Sequence, residues 1–156
     1  MQSTRHHKTR AVPPRVVASF QAASGIGRAL AHKSVEYGGK LILSDIDESG
    51  LAKVVNECES SGAKVLSLPF DLSSRESIEN AVPIALDYYG RVDVLINNAG
   101  FATFGYFADV PVEKSVGMMN VHLTATIQFT HAAMNGMLKR KRGAIINVSS
   151  IGSFVL

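Results

Sequence analysis

A chain of 156 residues and 16.7 kDa, with 46% hydrophobic, 19% charged and 7% aromatic residues, is composed like one globular domain, which excludes a disordered or fibrous protein. It holds no apolar run of the ~20 residues needed to cross a bilayer, no apolar core of a secretory signal near its start, and a single cysteine, Cys58, which cannot form an internal disulfide. The formal charge of +3 sits in two clusters, Arg5, Lys8, Arg10 and Arg15 and then Lys139, Arg140, Lys141 and Arg142; without them the remaining bases are outnumbered by the 13 acids, so no basic face for nucleic acid is implied.

Residues 1–14 form a polar, basic, Pro-terminated leader expected to be disordered. The folded domain is therefore expected to span 15–156. An acid-free basic leader also fits a mitochondrial address, but no amphipathic arginine helix is visible, and the expected location is cytoplasmic. From there short apolar runs at 15–20, 40–44, 64–70, 92–96 and 144–148 alternate with segments of helical period at 27–37, 48–61, 75–89 and 112–139. Runs rich in Val, Ile and Leu and bounded by Gly, Asp and Ser read as buried parallel strands. Alternation of this kind implies right-handed βαβ units and an α/β doubly wound parallel sheet. Asp47 is the expected N-cap of the second helix and Gly62 its stop; Ser73 or Ser74 opens the third, and Pro83 inside it should produce a kink.

The loop Ala22-Ala23-Ser24-Gly25-Ile26-Gly27-Arg28 joins the first strand to the first helix. Bare N–H groups at a helix start can cradle a pyrophosphate, although the G-x-G-x-x-G spacing fails because Leu30 stands at the third glycine. A turn with no ligand fits the same residues. Asp45 ends the second strand twenty residues after Gly25. Its carboxylate suits the two hydroxyls of an adenosine ribose and would repel a 2′-phosphate, and no Lys or Arg lies between Ala22 and Gly27 to receive one. A helix-capping acid beside Asp47 and Glu48 explains it equally well.

With Asn97-Asn98-Ala99-Gly100 after the fourth strand, Asp71-Leu72 after the third, Asn120 on the long helix and Asn147-Val148-Ser149-Ser150 after the fifth, the chain resembles the short-chain dehydrogenase/reductase family from about 22 to 154. The resemblance implies a Rossmann fold in three α/β/α layers with strand order 3-2-1-4-5-6-7, its last strands missing here. It implies hydride transfer between a nicotinamide cofactor, NAD in preference to NADP, and a small alcohol or ketone, with no metal. By the same resemblance Ser24, Gly25, Ile26, Gly27, Asp45, Asp71, Leu72, Asn98, Ala99 and Gly100 bind the cofactor, and Ser150 and Asn120 are catalytic. The long helix 112–139 would form a homo-oligomer surface.

Two departures stand out. The family's Tyr-x-x-x-Lys is absent: the residues four beyond Tyr37, Tyr88, Tyr89 and Tyr106 are Leu41, Val92, Asp93 and Val110. The expectation is a fragment or variant without turnover of its own, or, as an alternative, a catalytically dead module that binds NAD or dimerises. Second, Phe20 and Gln21 replace the family's Thr-Gly, which would put Phe20's bulk beside the phosphates and a Cβ where a positive φ is needed. Elsewhere, Lys139 to Arg142 read as a helix end, His122 and His131 as ordinary helix residues, and Phe101, Phe104, Tyr106 and Phe107 as packing under the next helix. The fifth strand should be an apolar edge.

Overall fold

The computed structural model describes residues 15–36 and 39–150, so the expectations for the leader 1–14, for Tyr37 at the end of the first helix and for 151–156 lie outside the described residues. Five parallel strands, β1 (Val16–Phe20), β2 (Lys40–Ser44), β3 (Lys64–Ser67), β4 (Val94–Asn97) and β5 (Ala144–Asn147), form one sheet in the order β3-β2-β1-β4-β5. The doubly wound α/β reading holds. Register runs Val16↔Lys40 to Phe20↔Ser44 on one side of β1 and Val17↔Val94 to Ser19↔Ile96 on the other. β3 is shorter than its apolar run, yet Leu68 and Phe70 still donate their N–H groups to the carbonyls of Leu43 and Asp45.

Period-two alternation sends successive strand residues to opposite faces. Val16, Ala18, Phe20, Ile42 and Leu95 pack on one face against Ile78, Ala81 and Ala85 of α3 (Arg75–Asp87) and Ala125, Phe129, Ala133 and Met137 of α5 (Ala125–Lys139). On the other face Val17, Leu41, Leu43 and Ile96 meet Ala31 of α1 (Gly25–Glu36) and Leu51, Val54 and Cys58 of α2 (Glu48–Ser60). Burial raises the Cys58 thiol pKa, with the charges of Glu57 and Glu59 acting in the same direction, so it is an inert core residue. Phe20 corrects an expectation: it is 2% exposed, with ring centroids 4.1 Å from Phe129 and 6.2 Å from Phe70, because position 20 shares the inward face of 16 and 18. Its bulk is in the core and not in the loop.

The helix ends follow local chemistry. Asp47 caps α2 by accepting from the Gly50 N–H at 3.0 Å, and Gly62, at φ +87°, ends it; Ser74 accepts from the Ser77 N–H to open α3. α3 continues through Pro83, whose exposed position lets solvent reach the carbonyl left without a donor. The long helical segment is not uniform: α4 (Val112–Met119) and α5 are joined by π-helical turns over Asn120–Thr124, where the Ala125 N–H reaches the Asn120 carbonyl. Arg140 closes α5 and donates to the Val92 carbonyl at 2.7 Å, and Lys141, at φ +52°, turns the chain into β5.

At the N-terminal ends of the strands Asp93 is a buried anchor. Its carboxylate accepts from the Val16 N–H at 3.0 Å and from the Arg91 guanidinium, with Arg140 4.0 Å away. Burial raises its pKa, but the Arg91 hydrogen bond, the Val16 N–H and the two cations outweigh that, and the net shift is downward. Its stabilising contribution is therefore complete above the ordinary carboxylate value near pH ~4 and is lost as pH falls through the lowered folded value. Urea midpoints followed from neutral pH into acid should fall less steeply in Asp93→Asn than in the parent chain; identical slopes would reject this role.

Beyond β5 no described strand follows, leaving Ile146 45% exposed and a groove of about 420 Å³ bordered by Met134, Met137, Leu138 and Ile145. An apolar edge with open ladder groups invites pairing. Size-exclusion chromatography with light scattering should show concentration-dependent association that Ile146→Lys reduces; a sharp monomer at every concentration would count against it.

Candidate functional site

All five strands are parallel, so the loops after β1, β2, β3 and β4 gather at one edge of the sheet. The order in which strands are laid down reverses between β1 and β4, since β1 connects outward to β2 and β3 while β4 lies on its other side. A crevice outside the strand ends at such a switch point is where ligands bind in open α/β sheets.

The loop after β1 is shaped by a close approach. A Cβ on Gly27 would stand 1.9 Å from the Gln21 carbonyl oxygen and 3.0 Å from the Asn98 amide nitrogen. Glycine is obligatory at that point. Gln21 itself has a φ of +55°, at a cost of about 1 kcal/mol for a residue with a Cβ. Asn98 braces the turn from β4, donating from Nδ2 to the Phe20 carbonyl at 3.2 Å. Ser24, Gly25 and Ile26 are exposed on the rim, where the N–H groups of the first helical turn have no partner within the helix. Arg28, next along, is engaged by Glu57 of α2 at 2.7 Å.

Asp45 and Asp47 have separate jobs. Asp47 caps α2, whereas the Asp45 carboxylate, 8% exposed, accepts from the Ala23 N–H at 2.9 Å and the Asp47 N–H at 3.0 Å. Capping therefore does not account for Asp45. Each carboxylate oxygen can accept a further hydrogen bond, and Asp45 borders a cavity of about 360 Å³ together with Asp71, Leu72, Ala99, Gly100 and Val121. That volume is within the range of small-molecule pockets. Asp71 holds the loop after β3 by accepting from the N–H and hydroxyl of Ser73 at 2.7 and 2.8 Å.

The two candidate catalytic residues are placed differently. Asn120 donates to the Ser73 carbonyl at 2.7 Å, fastening the π-helical turns to the loop after β3. Ser150 is exposed beyond the end of β5. Neither borders the cavity with Asp45.

Sequence reasoning passed over two contacts. His122 brings its Nε2 to 3.1 Å from the Phe101 nitrogen and 2.8 Å from its carbonyl oxygen, with the ring against Gly100, where a Cβ would stand 3.0 Å from Cε1. A 3.6-residue period cannot place this side chain, because the π-helical turns shift every residue after 120. The Gln21 side chain reaches Gly100 in both directions: Nε2 donates to its carbonyl at 3.2 Å, and its N–H donates to Oε1 at 3.0 Å. Phe101, Phe104, Tyr106 and Phe107, expected to pack under the next helix, are instead exposed, Phe104 to 93%. Among the described residues there is no cluster suited to hold a metal and no helix long and apolar enough to cross a membrane.

A family profile described as short chain dehydrogenase matches residues 15–155. The CLA biosynthesis dehydrogenase/reductase of Lactiplantibacillus plantarum is 34% identical over 86% of this chain and 47% of its own length. The 3-oxoacyl-acyl-carrier-protein reductase FabG of Thermotoga maritima is 33% identical over 83% of this chain and 53% of its own. The chain thus spans about half the length of these curated relatives. Among solved structures, a short chain dehydrogenase/reductase from Burkholderia phymatum in complex with NAD superimposes with a TM-score of 0.83 at 29% identity, covering 91% of this chain and 51% of that one. A metagenomic short-chain oxidoreductase in complex with NADP gives 0.82 at 33% identity, covering 87% and 62%.

The approach of Gln21 to Gly27 leaves no room for a methyl group. Gly27→Ala should lower stability by about 1–3 kcal/mol in urea unfolding, the usual cost of overpacking; an unchanged midpoint would contradict the geometry.

Proposed function

Because the chain belongs to the short chain dehydrogenase family, we propose that residues 15–156 are the nicotinamide-dinucleotide-binding part of an oxidoreductase that interconverts a small alcohol and ketone. The observation that carries this reading is the Asp45 carboxylate, anchored by two N–H groups beside a cavity at the switch point. The relatives in complex with NAD and with NADP support a nicotinamide cofactor of one kind or the other.

The residues present suit such a group. Asp45 would accept the adenosine ribose hydroxyls, and its charge disfavours a 2′-phosphate. Arg28, already paired with Glu57, offers that phosphate little, so NAD is the preferred form. Leu72 and Val121 would supply apolar walls for a flat ring beside Asp71, and the N–H groups at the start of α1, at Gly25 and Ile26, would be available to a pyrophosphate. Gly27 and Asn98 keep the turn in shape, and Ala99 and Gly100 border the far wall. When bound, the nicotinamide supplies the hydride-transfer chemistry. Ser150 would hydrogen-bond the substrate oxygen, and Asn120, through Ser73, would hold the wider turns of the long helix in place.

This sequence has no Tyr-x-x-x-Lys, so a positioned proton donor worth about 10² to 10⁴ in rate is wanting, and the chain by itself should bind without turning over. A second reading, a binding or dimerisation module without activity, is favoured by one observation. Val112, Val116, Met119, Leu123, Ile127, Met134 and Leu138 are all exposed at helical spacing along 112–139, an apolar stripe suited to a second copy. The cytoplasm suits a chain whose single cysteine is a buried thiol.

Titration of NADH by fluorescence should show saturable binding that Asp45→Ala weakens by about tenfold or more, with NADPH losing less. A panel of secondary alcohols with NAD should give no NADH above background. Failure to bind NADH refutes the reading; reproducible turnover refutes the inactivity of this chain.

A further inference from the structure

Gln21 stands where a dinucleotide would cross from the β2 side of the sheet to the β4 side. Its backbone has the left-handed conformation that glycine adopts most easily, yet it carries a long side chain, and that side chain is committed to Gly100. The amide pairs with Gly100 as one peptide pairs with another, donor to carbonyl and carbonyl from N–H, across 79 residues of sequence. It ties the loop after β1 to the loop after β4 directly over the switch point. Gln21 and Gly100 both border the cavity that holds Asp45.

We propose that the Gln21 side chain is a specificity-determining strap across this cleft, which admits the adenosine end of a nucleotide freely and the rest of a dinucleotide only when the amide leaves Gly100. The inference rests on the dinucleotide reading of the site. The adenosine end needs Asp45, Asp71 and Leu72, none of which Gln21 covers by hydrogen bonding. The remainder of the molecule must pass over the Gln21–Gly100 pair. Release of the amide exposes one N–H and one carbonyl on Gly100, a donor and an acceptor of the kind a ribose hydroxyl satisfies. The two hydrogen bonds lost are repaid by the ligand, but only in part, so the strap weakens dinucleotide binding without touching a mononucleotide. Nothing in this requires the helix or strand framework to move. A flexible side chain swings and the backbone turn, held by Gly27 and Asn98, stays.

Calorimetric titration of AMP and of NADH into the full chain, Gln21→Gly and Gln21→Asn tests it. Both variants accept a left-handed backbone, and neither reaches Gly100, so the asparagine chain decides the matter should the glycine chain not fold. The expected result is an AMP Kd equal within about twofold in all three chains and an NADH Kd about tenfold tighter in the variants. AMP binding retained with NADH binding unchanged or weaker in the variants overturns the strap while leaving the site reading intact. Absence of AMP binding in all three chains overturns the site reading and the strap with it.

Discussion

The contact between the Gln21 carbonyl and Gly27 governs the rest of the loop edge of the sheet. Because nothing larger than hydrogen fits between them, the first turn of α1 sits directly against the end of β1, and the helix leaves the sheet from a fixed point. That point sets where Ala31 meets the face formed by Val17 and Leu41, and through it where α2 packs. Asn98 transmits the constraint to β4, since its amide bonds the same turn from the other side of the switch point. The crevice is therefore shaped by backbone atoms, and the side chains that border it, Asp45 above all, are placed by N–H groups of the same turn.

The two ends of the sheet are held by different means. At the loop end, neutral backbone contacts and short side-chain bonds leave a cavity open. At the opposite end, Asp93 gathers a strand N–H and two guanidinium groups into one buried charged cluster, with Arg140 reaching back from the end of α5 to the start of β4. Breaking one partner of such a cluster costs more than the pair contributes, because a buried charge is left uncompensated. On the α5 side of the sheet the Phe20, Phe70 and Phe129 rings pack together, with centroids 4.1 to 6.2 Å apart. The edge that carries the cavity is thus built on a closed core and a pinned base.

The apolar surfaces left open have a shared cause. A helix or a strand buries one face against the sheet and must find a second partner for whatever else is apolar. α1 and α3 each expose a single large apolar residue, Ile26 and Ile84, and α2 exposes none. The stripe along 112–139 and the outer side of β5 are apolar where nothing described covers them. The aromatic residues after Gly100, Phe101, Phe104, Tyr106 and Phe107, are likewise exposed on the segment after β4. Exposed apolar surface of this extent is unfavourable in water, which sets the 112–139 stripe and β5 apart from the rest of the described surface.

What was legible in the sequence was local. Strand and helix order, the cap at Asp47, the stop at Gly62 and the placing of Asn97 to Gly100 after β4 follow from periodicity and turn chemistry within a few residues. The motif at Gly25 to Gly27 and the spacing to Asp45 pointed to the crevice for the same reason. Contacts between distant residues were decided by tertiary structure alone. Phe20 turned inward because its strand register faced α5; His122 reached Phe101 because the turns at Asn120–Thr124 are wider than α-helical ones; Asp45 proved to be a brace because Ala23 folds back over β2. Gln21 shows the difference most plainly: the sequence by itself determined that a residue with a Cβ stands at a glycine turn, and only the fold, by bringing Gly100 within 3.0 Å, determined what its amide would do there.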